Sequence, residues 1–143
     1  MSSHFYLIDI KGIAVGNEAL AGTDQELEEV LFGAIKNVHN ALKMLQLEEK
    51  IEVSTPNSVA VFANSIPPLY CTFKDDVLVY MKPILEFFSQ INSPFYINAY
   101  PFLAYKNAAY AALEAAGYPK MEVRVSEMAG LLLAMRMKLE PLS

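Results

Sequence analysis

Apolar positions recur along this chain in two rhythms. From Leu27 through Val30, Leu31, Ala34, Ile35, Val38, Leu42 and Leu45 they come in steps of three and four residues. That is the spacing of one helical face, and it predicts a helix over residues 24–46. Thr23-Asp24-Gln25-Glu26 just before it has the pattern of a capping box, in which the Thr hydroxyl accepts from a first-turn amide and Glu26 reaches back. Elsewhere the apolar residues sit side by side in short β-branched runs. GIAVGNE, Gly12 to Glu18, is the clearest, and it reads as a parallel strand covered on both faces. Ile51–Thr55 is a second, extended through Val59–Phe62 beyond the turn at Pro56-Asn57. Phe95–Tyr100 and Met121–Ser126 are two more, and Phe5–Ile10 is also β-prone.

Proline and glycine punctuate the rest. Pro67-Pro68 marks a loop, because neither regular structure continues through it. A second helix is predicted over Asp75–Gln90, kinked or divided at Pro83, which removes an amide donor. Pro94 and Pro101 bracket the strand between them. Asn107–Ala116 is an alanine-rich helix closed by Gly117 as its C-terminal cap. Met128–Leu139 is an apolar, helix-prone tail ahead of Pro141. Strands and helices thus alternate, which predicts an α/β fold of parallel strands joined by right-handed crossovers. Four βα units fit a small open sheet or half of an eightfold barrel.

Two of these strands end in a carboxylate, Glu18 and Glu127. The C-terminal ends of parallel strands are where α/β barrels and open α/β sheets build their sites. A pair of carboxyls there suggests paired-carboxylate chemistry. From spacing alone, a Glu that merely ends a strand in solvent is the commoner account of each. Phe95, Tyr96, Tyr100, Phe102 and Tyr105 either form a wall that stacks on a ligand or pack in the core. His4 and His39 stand apart without metal-ligand spacing, and no phosphate loop or nucleophile elbow is present. No metal and no cofactor are expected.

Composition narrows the classes. An apolar content of 54% over 143 residues supplies one well-buried domain. A net charge of −5 and a pI near 5.0 offer no electrostatic footprint for nucleic acid. No apolar run reaches the ~18–20 residues of a membrane span. Cys71 is a lone cysteine, so no internal disulfide forms. MSSHFYLIDIK has no basic leader region, long apolar stretch or small-residue cleavage site, which predicts a cytoplasmic chain.

GIAVGNE, IEVSTPNSVAVFANSIPP, MKPILEFFSQINSPFYINAYPFLAYK and ALEAAGYPKMEVRVSE, in that order, resemble the plant endo-β-1,3-glucanases of glycoside hydrolase family 17. The resemblance implies a TIM barrel that hydrolyses β-1,3-glucans with retention, and an extracellular or cell-wall location. It implies that Glu18 is the acid/base and Glu127 the nucleophile. Asn17 would orient the sugar or the nucleophile, and Tyr100 and Phe102 of NAYPF would line the glucan cleft.

The likeness covers residues 12–127, corresponding to barrel strands four to seven. Residues 1–11 stand where the family has its first three βα units. Residues 128–143 form an apolar tail where the family reads Thr or Ser, Gly, Trp, Pro and then its eighth strand. The expectation is therefore a partial (β/α)8 barrel, as a β-1,3-glucan endohydrolase or as a non-catalytic remnant of one. Self-association through the open barrel face is a further expectation. Without the resemblance, a small α/β domain binding a ligand above its strand ends stays open.

Overall fold

The computed structural model describes residues 6–99, 102–126 and 138–141. Among them the elements are β1 (Tyr6–Asp9), β2 (Gly12–Ala14), α1 (Gln25–Met44), β3 (Glu52–Ser54), β4 (Pro56–Ser58), α2 (Asp75–Ile91), β5 (Phe95–Asn98), α3 (Phe102–Ala115), β6 (Val123–Val125) and β7 (Lys138–Pro141).

Two parallel sheets share one stretch of chain. β2 pairs with β3, Ile13 opposite Val53, while β4 pairs with β5 and β5 with β6, Pro56 opposite Tyr96 and Tyr96 opposite Arg124. β3 and β4 are separated only by Thr55, so Glu52–Ser58 joins the pair to the triplet. Val15 N–H to Ser54 O at 2.8 Å and Ser126 N–H to Ile97 O at 2.8 Å carry the pairing beyond the strands themselves. The parallel strands therefore run in chain order. They do not close into a barrel among the described residues. β1 and β7 pair with each other, antiparallel.

Strand alternation sorts the side chains of β5 and β6. Phe95 and Ile97 enter an apolar cluster with Ile84, Leu85 and Phe88 of α2 and Ala108, Ala109, Ala112 and Leu113 of α3. The three small alanines bring α3 close to the sheet. Tyr96, Asn98, Arg124 and Ser126 alternate with that set and make polar bonds instead. This second face would line the interior of a barrel.

Several sequence expectations need local correction. Asp24, not Thr23, caps α1, its Oδ1 accepting from Leu27 N–H at 3.1 Å. The carboxylate that reaches back is Glu28, whose Oε1 accepts from Ala21 N–H at 3.1 Å. The α1 stripe is also narrower than its apolar pattern, with Leu31, Ile35 and Leu42 buried and Val30 and Leu45 exposed. Val59–Val61 forms a 3-10 turn in place of a strand, capped by Ser58 Oγ on Ala60 N–H at 3.1 Å. Pro83 does not divide α2. The carbonyl it deprives of a partner belongs to Val79, which is 71% exposed, so water can take the bond, and Met81, Ile84, Leu85 and Phe88 anchor the helix to the core.

α3 starts at Phe102, five residues before the predicted start at Asn107. Its end is as the sequence predicts. Gly117 sits at φ +102, its N–H bonds Glu114 O at 3.0 Å, and Tyr118 N–H bonds Leu113 O at 2.7 Å, the Schellman pattern. Of the helix-prone tail, Lys138 and Leu139 lie in β7 as strand, and residues 128–137 lie outside the described residues.

Candidate active site

After β2 the chain turns sharply across the C-terminal ends of the strands. Gly16 takes φ +72, and a Cβ there would also lie 3.3 Å from Leu31 Cδ1 of α1. Glu18 at φ 52 and Ala21 at φ 63 are left-handed without being glycine, a conformation that costs an ordinary residue about 1–2 kcal/mol. Local bonds hold the turn. Glu18 N–H donates to Pro56 O at 2.9 Å, and Ala21 N–H to the Glu28 carboxylate. Ala19 and Leu20, both buried, pin the segment beneath. Backbone strain over-determined by its surroundings is a recurrent feature of functional sites.

Asn17 and Glu18 leave this turn exposed to solvent and meet β5. Asn98 Nδ2 donates to Asn17 Oδ1 at 2.9 Å and to Glu18 Oε1 at 3.1 Å. Ser126, buried at the end of β6, donates from Oγ to Asn98 Oδ1 at 3.0 Å. One polar chain thus links the ends of β2, β5 and β6. Of the residues singled out from the sequence, Asn17 and Glu18 are brought together here. Phe102 begins α3, half-buried and packed against the core cluster. Glu127 and Tyr100 lie outside the described residues. Asn98 was not among the sequence candidates, and its INAY context offered the only hint.

A second polar cluster occupies the other end of the strands. The hydroxyl of buried Tyr96 donates to Glu52 Oε1 at 2.7 Å, and Arg124 bonds the same oxygen. Arg124 also bonds Glu122 through Nη2 at 3.1 Å. Burial, followed by the Glu52 carboxylate, pushes the Tyr96 hydroxyl well above the usual phenol range, and the bond to Glu122 raises the Arg124 guanidinium. A cleft of about 640 Å³ opens beside this cluster, lined by Glu52, Pro94, Tyr118, Glu122 and Arg124. Its size does not make it the site, because Asn17, Glu18, Asn98 and Ser126 converge at the opposite end. Among the described residues no three His, Cys, Asp or Glu side chains are grouped to hold a metal. No helix there is long and apolar enough to cross a membrane.

The profile described as "Glycosyl hydrolases family 17" matches residues 1–117. The chain belongs to that family. Glucan endo-1,3-beta-glucosidase 14 of Arabidopsis thaliana is 41% identical over 76% of this chain and 28% of its own length. A glucan endo-1,3-beta-glucosidase of Nicotiana tabacum is 31% identical over 87% of this chain and 44% of its own. Among solved structures, CJP38, a beta-1,3-glucanase and pollen allergen of Cryptomeria japonica, superposes with a TM-score of 0.76. It is 31% identical, over 82% of this chain and 47% of that one. The chain therefore spans between about a quarter and a half of these relatives. The family's structural neighbours are TIM-barrel enzymes, and the parallel strands here are consistent with part of one.

Family membership overturns the expectation of a cytoplasmic chain. Plant glucanases of family 17 are secreted or vacuolar proteins. In a stretch that spans less than half of its relatives, the first residues do not bear on a leader.

Proposed function

We propose that this chain is the part of a retaining β-1,3-glucan endohydrolase that carries both carboxyls, Glu18 as acid/base and Glu127 as nucleophile. Residues 12–127 are read as barrel strands four to seven with their helices. Residues 1–11 and 128–143 are read as segments outside that unit. The observation that carries the reading is the bonded path from Glu18 through Asn98 to Ser126, the residue immediately before Glu127. Two strand ends that the sequence separates by more than a hundred residues meet through a single amide.

In this reading Glu18 protonates the glycosidic oxygen as the bond to the anomeric carbon breaks, and Glu127 attacks that carbon. Water, deprotonated by Glu18, then releases the sugar. Asn17 orients the substrate. Tyr100 and Phe102 line the cleft, as the family resemblance implies.

One observation favours a second reading, a non-catalytic barrel remnant. Each outer strand of the parallel set, β2 and β6, has one edge without a strand partner among the described residues. Reducing-end release from a soluble linear β-1,3-glucan separates the two. Turnover by the chain, reduced about 10²–10⁴-fold in Glu18→Gln and in Glu127→Gln, is the expected result. A cooperatively melting sample no more active than its variants would establish the remnant.

A further inference from the structure

The orientation of the Asn98 amide is fixed from behind. Ser126 Oγ donates to Asn98 Oδ1 at 3.0 Å, so the nitrogen faces Asn17 Oδ1 and Glu18 Oε1, at 2.9 and 3.1 Å. Turning the amide by half a rotation would set its oxygen against two oxygen acceptors and leave the Ser126 hydroxyl facing an NH2 group. With the Ser126 hydroxyl as donor and the ionised Glu18 carboxylate as acceptor, the hydrogen-bonding capacities of the amide favour this arrangement. Both N–H bonds of Asn98 are then committed, one to each neighbour.

Two consequences follow for the exposed pair. Glu18 Oε1 is occupied as an acceptor. A proton carried by Glu18 is therefore placed on Oε2, which bonds no other group among the described residues. Asn17 Oδ1 is likewise occupied, so the Asn17 NH2 group is the one left to face a ligand as donor. Neither orientation follows from Asn17 or Glu18 alone, because both side chains are solvent-exposed and rotate freely without a partner.

We propose that Asn98, set by Ser126, is a positioning residue that selects which oxygen of Glu18 delivers the proton and which end of the Asn17 amide meets the sugar. This rests on the reading of Glu18 as the acid. During transfer Oε2 gives its proton to the leaving oxygen as the glycosidic bond breaks, while Asn98 keeps both of its protons and its bond to Oε1. A misplaced acid loses rate in proportion to how much protonation the leaving group needs.

The test compares a linear β-1,3-glucan with a dinitrophenyl β-1,3-linked disaccharide, whose leaving group departs without protonation. Asn98→Ala is expected to lower kcat/KM on the glucan about 10²-fold and on the activated glycoside only a few-fold. Asn98→Asp, which keeps the size and the Ser126 bond but loses the NH2 donor, is expected to match Asn98→Ala on the glucan. Ser126→Ala is expected to fall between these and the unaltered chain. Equal losses on both substrates, or full activity of Asn98→Asp, would overturn the proposal.

A readout independent of turnover is the side-chain amide signal of Asn98 in 15N-labelled protein. Its two protons are expected to shift on Glu18→Ala and again on Ser126→Ala. A signal indifferent to both substitutions overturns the positioning role, whatever the activity. An unaltered chain inactive on both substrates, with the Asn98 signal responding to both, sinks the assignment of Glu18 as acid and leaves Asn98 as the residue that orients the pair.

Discussion

Tyr96 donates its hydroxyl to Glu52 at 2.7 Å, although 44 residues separate the two. The bond crosses from β5 to the first residue of β3, at the end of the sheet away from Glu18. Arg124 of β6 reaches the same carboxylate oxygen. Three strands are thereby tied at their beginnings, as Asn98 ties three segments at their ends. Tyr96→Phe keeps the ring and removes the donor, and it is expected to cost about 1.5–3 kcal/mol in urea unfolding, the range for a bond to a charged group. A loss below a few tenths would show that Arg124 alone holds Glu52.

The same bond makes stability fall in alkali. The folded chain holds the Tyr96 proton more tightly than the unfolded chain, whose phenol titrates near pH 10. Below that pH both states are protonated and the contribution is complete. Above it the unfolded state gives up its proton first, and stability declines as pH rises toward the folded value. Unfolding midpoints at pH 8 and pH 11 are expected to differ more for the unaltered chain than for Tyr96→Phe.

Capping of α1 separates two adjacent residues. Asp24→Ala is expected to cost about 1 kcal/mol, because Asp24 alone accepts from Leu27 N–H in the first turn. Thr23→Ala is expected to lie within about 0.5 kcal/mol of the unaltered chain, as an exposed substitution does. Thermal melts of the two variants decide between them, and the reverse order would restore the capping box expected from the sequence.

Two glycines respond oppositely to alanine. Gly33 lies in α1 with open space where a Cβ would go, so Gly33→Ala is expected to stabilise by about 0.5–1 kcal/mol. Gly16, at φ +72 and against Leu31, is expected to lose at least about 1–2 kcal/mol on the same change. Denaturant midpoints measure both.

Strain at Glu18 gives a prediction about its role. Glu18→Gly removes the left-handed penalty at φ 52 and is expected to raise stability by about 1 kcal/mol while abolishing any glucan hydrolysis. A clear loss of stability would mean that the side chain supports the fold and not a site.

What the sequence determined by itself is local. The α1 periodicity fixes a helix because residues three and four apart share a face wherever the helix lies. Gly117 closes α3 because a left-handed cap needs only the preceding turn. Gly-Asn-Glu after a β-branched run placed Glu18 near a strand end, although the strand stops at Ala14 and Glu18 lies in the left-handed turn that follows, and strand–helix alternation implied parallel strands in order. What the tertiary structure decided depends on residues distant in sequence. α3 begins at Phe102 in a stretch that carries strand residues, tyrosine and proline, and intrinsic propensity is a weak prior there. The cap falls on Asp24 and not on Thr23 because the first helical residue is Gln25. Asn98 acquires its role from partners 28, 80 and 81 residues away. Hydrogen bonds of about 3 Å between separate strands exist only once the sheet has set their register.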